Sequence, residues 1–100
     1  MIVALVDDLM DRSRLSAALP ATTFLRAPEA VNASVVIIDL AAYAAAVPVV
    51  RAALPAARII AFGSHVDASV LDGARAAGAD LVLPRSRFFR DPAGVVAASG

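Results

Sequence analysis

Val35-Val36-Ile37-Ile38-Asp39 is a run of four β-branched residues closed by an acid, and it decides the fold. No polar residue interrupts the run, so a strand built from it is apolar on both faces. A strand with one wet face alternates polar and apolar residues; a parallel strand covered by helices on both sides does not. The same signature recurs on either side. Ile2-Val3-Ala4-Leu5-Val6 runs into Asp7-Asp8, Arg58-Ile59-Ile60-Ala61-Phe62 into Gly63, and Leu81-Val82-Leu83 into Pro84. Thr22-Thr23-Phe24-Leu25 is a weaker run that fits an edge strand.

Helical patterns lie between these runs. Leu9 to Leu19 carries Leu15, Ala18 and Leu19 at helical spacing, with Asp8 or Asp11 as N-cap and Pro20 as the stop. Asp67 to Ala77 carries Val70, Leu71 and Ala74, with Asp67 as N-cap and Gly78 as the glycine just past the end. Tyr43, Val47, Val50 and Leu54 also keep helical spacing, and Pro48 among them marks the first residue of a helix over 48–54. Residues 26–34 leave room for about one helical turn. Asp91–Gly100 adds a short last helix starting at Pro92. Strands alternating with crossovers predict one α/β domain over residues 1–100, a doubly wound parallel sheet with right-handed connections.

The composition narrows the function. The chain has 100 residues, nine basic residues that are all Arg, nine acids, one His and no Cys. That length supports a single core, with about 64% of the unfolded surface buried and about 5,300 Å² left accessible. The lack of Cys excludes disulfide frameworks, thiolate zinc sites and Cys nucleophiles, and a lone His65 makes no zinc site. A net charge of zero argues against a nucleic-acid surface, which needs uncompensated cations. The 60% apolar content is swollen by 25 Ala, and no long uncharged span suits a membrane. The first residues lack a basic segment and a signal-peptide pattern, so a cytoplasmic protein is expected. No glycine-rich loop follows the first strand, which disfavours a nucleotide-binding unit.

In an open parallel sheet, ligands collect beyond the carboxyl ends of the strands. Those ends carry Asp7-Asp8, Asp39, Gly63-Ser64-His65 and Pro84-Arg85-Ser86. Carboxylates gathered on one edge repel unless a cation sits among them. A hard divalent ion takes one or two carboxylates with waters and a phosphate oxygen, and a carboxylate can attack phosphorus to give an acyl phosphate. A hydroxyl and a cation would then hold the new phosphoryl oxygens.

In these residues, Val6-Asp7-Asp8, Ile37-Ile38-Asp39 and Ala77-Gly78-Ala79-Asp80, the chain resembles the receiver domain of two-component response regulators over about residues 1–86. The resemblance implies a five-stranded sheet of order 2-1-3-4-5. It implies Mg²⁺ held by Asp7, Asp8 and Asp39, phosphate accepted by Asp39, and phosphate sensed by Ser64 and Arg85. The departures are specific. The second helix is nearly deleted and the last is short. Leu40-Ala41-Ala42-Tyr43 replaces the family's Met-Pro and Gly turn, Gly63 rather than Ser64 falls at its Ser/Thr position, and Arg85 stands where it has Lys. Arg is forked and bulky, no neutral exchange for a point charge.

Two functional expectations follow. In the first, a degenerate, stand-alone receiver-like module acts through protein contacts without phosphorylation. Its partner is a histidine kinase, a downstream effector or a second copy, and its contact surface is Arg85, Arg87, Phe88, Phe89 and Arg90, because Arg and aromatics concentrate in interface hot spots. In the second, it is a Mg²⁺-dependent phospho-acceptor switch using Asp39. Neither is an enzyme.

Overall fold

In the computed structural model, which describes residues 1–27 and 32–99, the apolar runs become five strands. They are β1 (Ile2–Leu5), β2 (Thr23–Phe24), β3 (Val35–Asp39), β4 (Arg58–Gly63) and β5 (Leu81–Pro84). All pair in parallel in the order β2-β1-β3-β4-β5, the doubly wound order expected. The register sets Leu5 beside Ile38 and Asp39 beside Phe62, so the acid ending β3 lies level with the aromatic ring of β4.

Among the described residues six helices surround the sheet: α1 (Leu9–Ala18), α2 (Leu40–Tyr43), α3 (Ala46–Ala53), α4 (Ala68–Ala76), α5 (Arg85–Arg90) and α6 (Pro92–Ser99). The period-two pleat divides each strand between two cores. Val3, Leu5, Val36, Ile38, Ile59, Ala61 and Val82 face α2, α3 and α4. Ala4, Val6, Ile37, Ile60 and Phe62 face Leu15 of α1 and Phe88 of α5, with Val95 and Val96 of α6 against them. A sheet covered on both sides explains why its strands read as unbroken apolar runs. The accessible surface of 5203 Å² agrees with the size expected from chain length.

Local departures have physical causes. Pro48 is the third residue of α3, not the first; the helix starts at Ala46. A proline fits there because amides of a first helical turn lack intrahelical acceptors. Asp67 precedes α4 but makes no side-chain cap bond. Gly78 does take the left-handed conformation after α4, with φ +117°. The last helix, α6, is short and starts at Pro92 as expected. The separate helix α5 precedes it and ends at Asp91, whose Oδ1 accepts from the Gly94 amide at 3.0 Å and so caps α6. The turn expected within 26–34 falls partly on residues 28–31, outside the described residues. No helix among the described residues is long and apolar enough to cross a membrane.

The amino end of the sheet is bolted by Arg51 of α3. Its guanidinium donates to the carbonyls of Gly78 (3.0 Å), Pro55 (3.0 Å) and Ala57 (2.9 Å), and to Asp80 Oδ2 at 2.6 Å. Asp80 Oδ2 also accepts from the Ile59 amide at 2.8 Å, tying β4 to the start of β5. Burial pushes the Asp80 pKa up, but the bonds from Ile59 and Arg51 prevail and hold it below the usual carboxylate value.

Candidate functional site

The opposite, carboxyl end of the sheet collects the acids. Asp8 leaves β1 and caps α1, its Oδ1 accepting from the Asp11 amide at 3.0 Å. Asp7 is exposed; its Oδ1 accepts from the Tyr43 hydroxyl at 2.6 Å and lies 3.9 Å from an Arg12 guanidinium nitrogen. That bond pushes the tyrosine's pKa up, since losing the proton would set two anions together. Arg12 is itself anchored, donating to the Val6 carbonyl at 2.6 Å and lying over the Phe24 ring.

Asp39 is 7% exposed and caps α2 through the Ala41 amide at 3.0 Å. Burial raises its pKa; the Ala41 bond and the charge of Arg85 oppose the shift without cancelling it. Beside it, Gly63 packs so closely that a Cβ there would lie 3.3 Å from Leu71 and 3.4 Å from Leu40. Ser64 and His65 lie beyond the end of β4 and are exposed, and Ser64 Oγ accepts only a long bond, 3.4 Å, from the Val66 amide.

Arg85 opens α5 and reaches back across the edge. It bonds and ion-pairs with Asp11 of α1 and lies over the rings of Phe62 (5.7 Å) and Phe89 (5.2 Å). The Asp11 bond raises its pKa despite partial burial, with Asp39 and Asp8 adding to the effect. Asp11 is the site residue that sequence reasoning placed only as a helix cap. It is 1% exposed, and its Oδ2 has no hydrogen-bond partner. The signal was its spacing: Asp11 and Leu15 are one turn apart, so an acid occupies the buried face of α1.

Asp7, Asp8 and Asp39, the acids of the expected Mg²⁺ set, each already accept a hydrogen bond from the chain. Among the described residues, no three His, Cys, Asp or Glu side chains gather closely enough to hold a metal ion. Asp7 is turned to Tyr43, while Asp8 and Asp39 each spend an oxygen on a helix amide.

The aromatic-basic cluster also needs correction. Phe88 is not a contact residue: it is fully buried, stacked on Phe62 with centroids 4.9 Å apart and planes 8° from parallel. Phe89 is half-buried, edge-on to both rings at 5.0 Å, and Arg14 lies over it. Helix α5 turns these side chains inward, and of the expected surface only Arg87 and Arg90 are exposed.

No family profile and no curated protein matches the chain. Solved structures do. The BeF3-activated DrrB receiver domain superposes with a TM-score of 0.82 at 15% identity, covering 98% of this chain and 94% of that one. A response regulator from Thermotoga maritima gives 0.77 at 11% identity, with 98% and 94% covered. A response regulator from Burkholderia pseudomallei, solved with a phosphorylated aspartic acid, calcium ion and citrate, gives 0.80 at 15% identity. The match covers 98% of this chain and 64% of that one, so the chain spans less than two thirds of that protein. The chain therefore has the fold of response-regulator receiver domains.

Proposed function

We propose that this chain is a receiver-like signalling module that works through protein contacts and without phosphorylation of Asp39. The carrying observation is the use already made of its acids. Asp39 is sunk into the edge as a helix cap, and among the described residues no group of three metal-ligating side chains gathers there. Phosphoryl transfer to a carboxylate needs an accessible oxygen and a cation to neutralise the incoming phosphate. The likeness in fold to response regulators supports the signalling role.

Protein contact is supported by what rims the edge. Leu9 (80% exposed) and Met10 (66%) follow the acid pair, and Val66 (80%) follows β4. Adjacent large apolar side chains left in water, as at Leu9-Met10, fit an interaction surface. Such a surface suits a kinase, an effector or a second copy, in the cytoplasm. No catalysis, nucleic acid or membrane enters this reading.

The test is an amide NMR spectrum of the wild type with Mg²⁺ and either beryllofluoride or acetyl phosphate. The expected result is no change at the sheet edge. Shifts clustered at Asp7, Asp8, Asp39 and Arg85, and lost in Asp39→Asn, would overturn the proposal and establish the phospho-acceptor switch instead.

A further inference from the structure

Three acids and one guanidinium close the carboxyl end of the sheet: Asp8 before α1, Asp11 within it, Asp39 from β3, and Arg85 from α5. Asp11 is the most deeply placed of them, 1% exposed, with Oδ1 on Arg85 and Oδ2 on nothing. A buried carboxylate that lacks half its hydrogen bonds is tolerated only beside a full positive charge. Two aromatic faces steer that charge to it. Phe62 and Phe89 lie under the guanidinium, and Phe62 is the register neighbour of Asp39 on the adjacent strand. The ring that carries the cation therefore stands next to the acid that ends β3.

We propose that Arg85 is a built-in counter-ion occupying the role of a divalent cation at this edge, so that its buried acid, Asp11, is neutralised by the chain itself and the edge is indifferent to metal. The inference rests on the metal-independent reading given above and deepens it, because it names the residue that makes metal unnecessary. A tethered guanidinium differs from an ion in two ways. Its effective concentration is fixed by the chain, so it is never diluted away. It also stays charged at every physiological pH and binds in a planar fork, which ties α5 to α1 as well as neutralising charge.

The experiment replaces the cation and asks whether an ion from solution takes its place. Arg85→Gln removes the charge and keeps a polar side chain; Arg85→Lys keeps the charge without the fork. Thermal melts and amide spectra are recorded without metal and with on the order of 10 mM Mg²⁺, with no phosphoryl donor present. The wild type and Arg85→Lys are expected to be unmoved by the ion. Arg85→Gln is expected to melt lower in metal-free buffer and to recover about 5 °C with Mg²⁺, with shifts centred on Asp11 and Asp39. Adding Asp11→Asn to Arg85→Gln is expected to abolish that recovery. A wild type that gains as much from Mg²⁺ as Arg85→Gln, an Arg85→Gln indifferent to the ion, or an Arg85→Lys that needs it would each overturn the proposal. If Arg85→Gln does not fold in either buffer, a stable, metal-indifferent Arg85→Lys supports the proposal, and an unfolded one overturns it. Phosphorylation of the wild type would defeat the functional reading and leave these melts to be judged separately.

Discussion

Asp39 and Asp80 stand at opposite ends of the sheet and respond to pH with opposite signs. Burial raises the folded-state pKa of Asp39. Its contribution to stability is therefore fully present below the unfolded value and is lost as pH rises through the folded one. Asp39→Asn removes the disfavoured charge and keeps an oxygen for the Ala41 amide. It is expected to melt higher than the wild type at pH 7, with the gain shrinking as pH falls toward 3; equal gains at both pH values would refute the assignment. Asp80 is held below its ordinary value by Ile59 and Arg51 against the pull of burial. Its stabilisation is present above the unfolded pKa and fades as pH falls through the folded one. Gly78 tests the same bolt through the backbone. At φ +117°, a Cβ would meet Arg51 Cγ at 2.8 Å. Gly78→Ala is expected to cost about 2–4 kcal/mol in denaturant titrations, from backbone strain and from displacing Arg51. The turn at Gly78 was legible in the sequence because glycine after a helical pattern has a local meaning. The partnerships of Arg51 with Asp80 and of Arg85 with Asp11 were not, because they join residues 29 and 74 positions apart.

Among the elements, the strands were the most legible, since a run apolar on both faces has few uses other than a covered parallel strand. Helices were less so. Tyr43 and Val47 keep one helical spacing, yet they belong to α2 and α3, divided at Ala44-Ala45, where no side chain signals the break. Arg85-Ser86-Arg87-Phe88-Phe89-Arg90 reads by composition as a wet, sticky surface. Only in three dimensions does the turn of α5 direct Phe88 onto Phe62. The distinction is measurable. Phe88→Ala empties a fully buried ring site and is expected to cost about 3–5 kcal/mol. Arg87→Ala and Arg90→Ala, both exposed, are expected to stay within about 0.5 kcal/mol. A near-neutral Phe88→Ala would return that ring to the surface.

At the scale of the molecule, one sheet serves two cores, and that governs how the chain comes apart. Each central strand gives alternate residues to each face, so Ile37 and Ile38 are neighbours in sequence but belong to different cores. Neither core can loosen without disturbing the strands that build the other, and a chain of this size that divides its apolar residues so evenly has no half that folds alone. The same sharing explains how a likeness of 11–15% identity suffices for the fold: a two-faced sheet asks for apolar runs at the right intervals, and many sequences supply them. Tyr43 provides a local probe, being the only Tyr in a chain without Trp, and its hydroxyl binds Asp7 at the carboxyl edge. Its fluorescence reports the acid edge, while far-ultraviolet circular dichroism reports all the helices. The two are expected to trace one transition in urea with a single midpoint, in the wild type and in Gly78→Ala, although Gly78 lies at the other end of the sheet. A Tyr43 transition that preceded the loss of helix in either protein would mean that the acid edge opens separately, and the two cores would not form one cooperative unit.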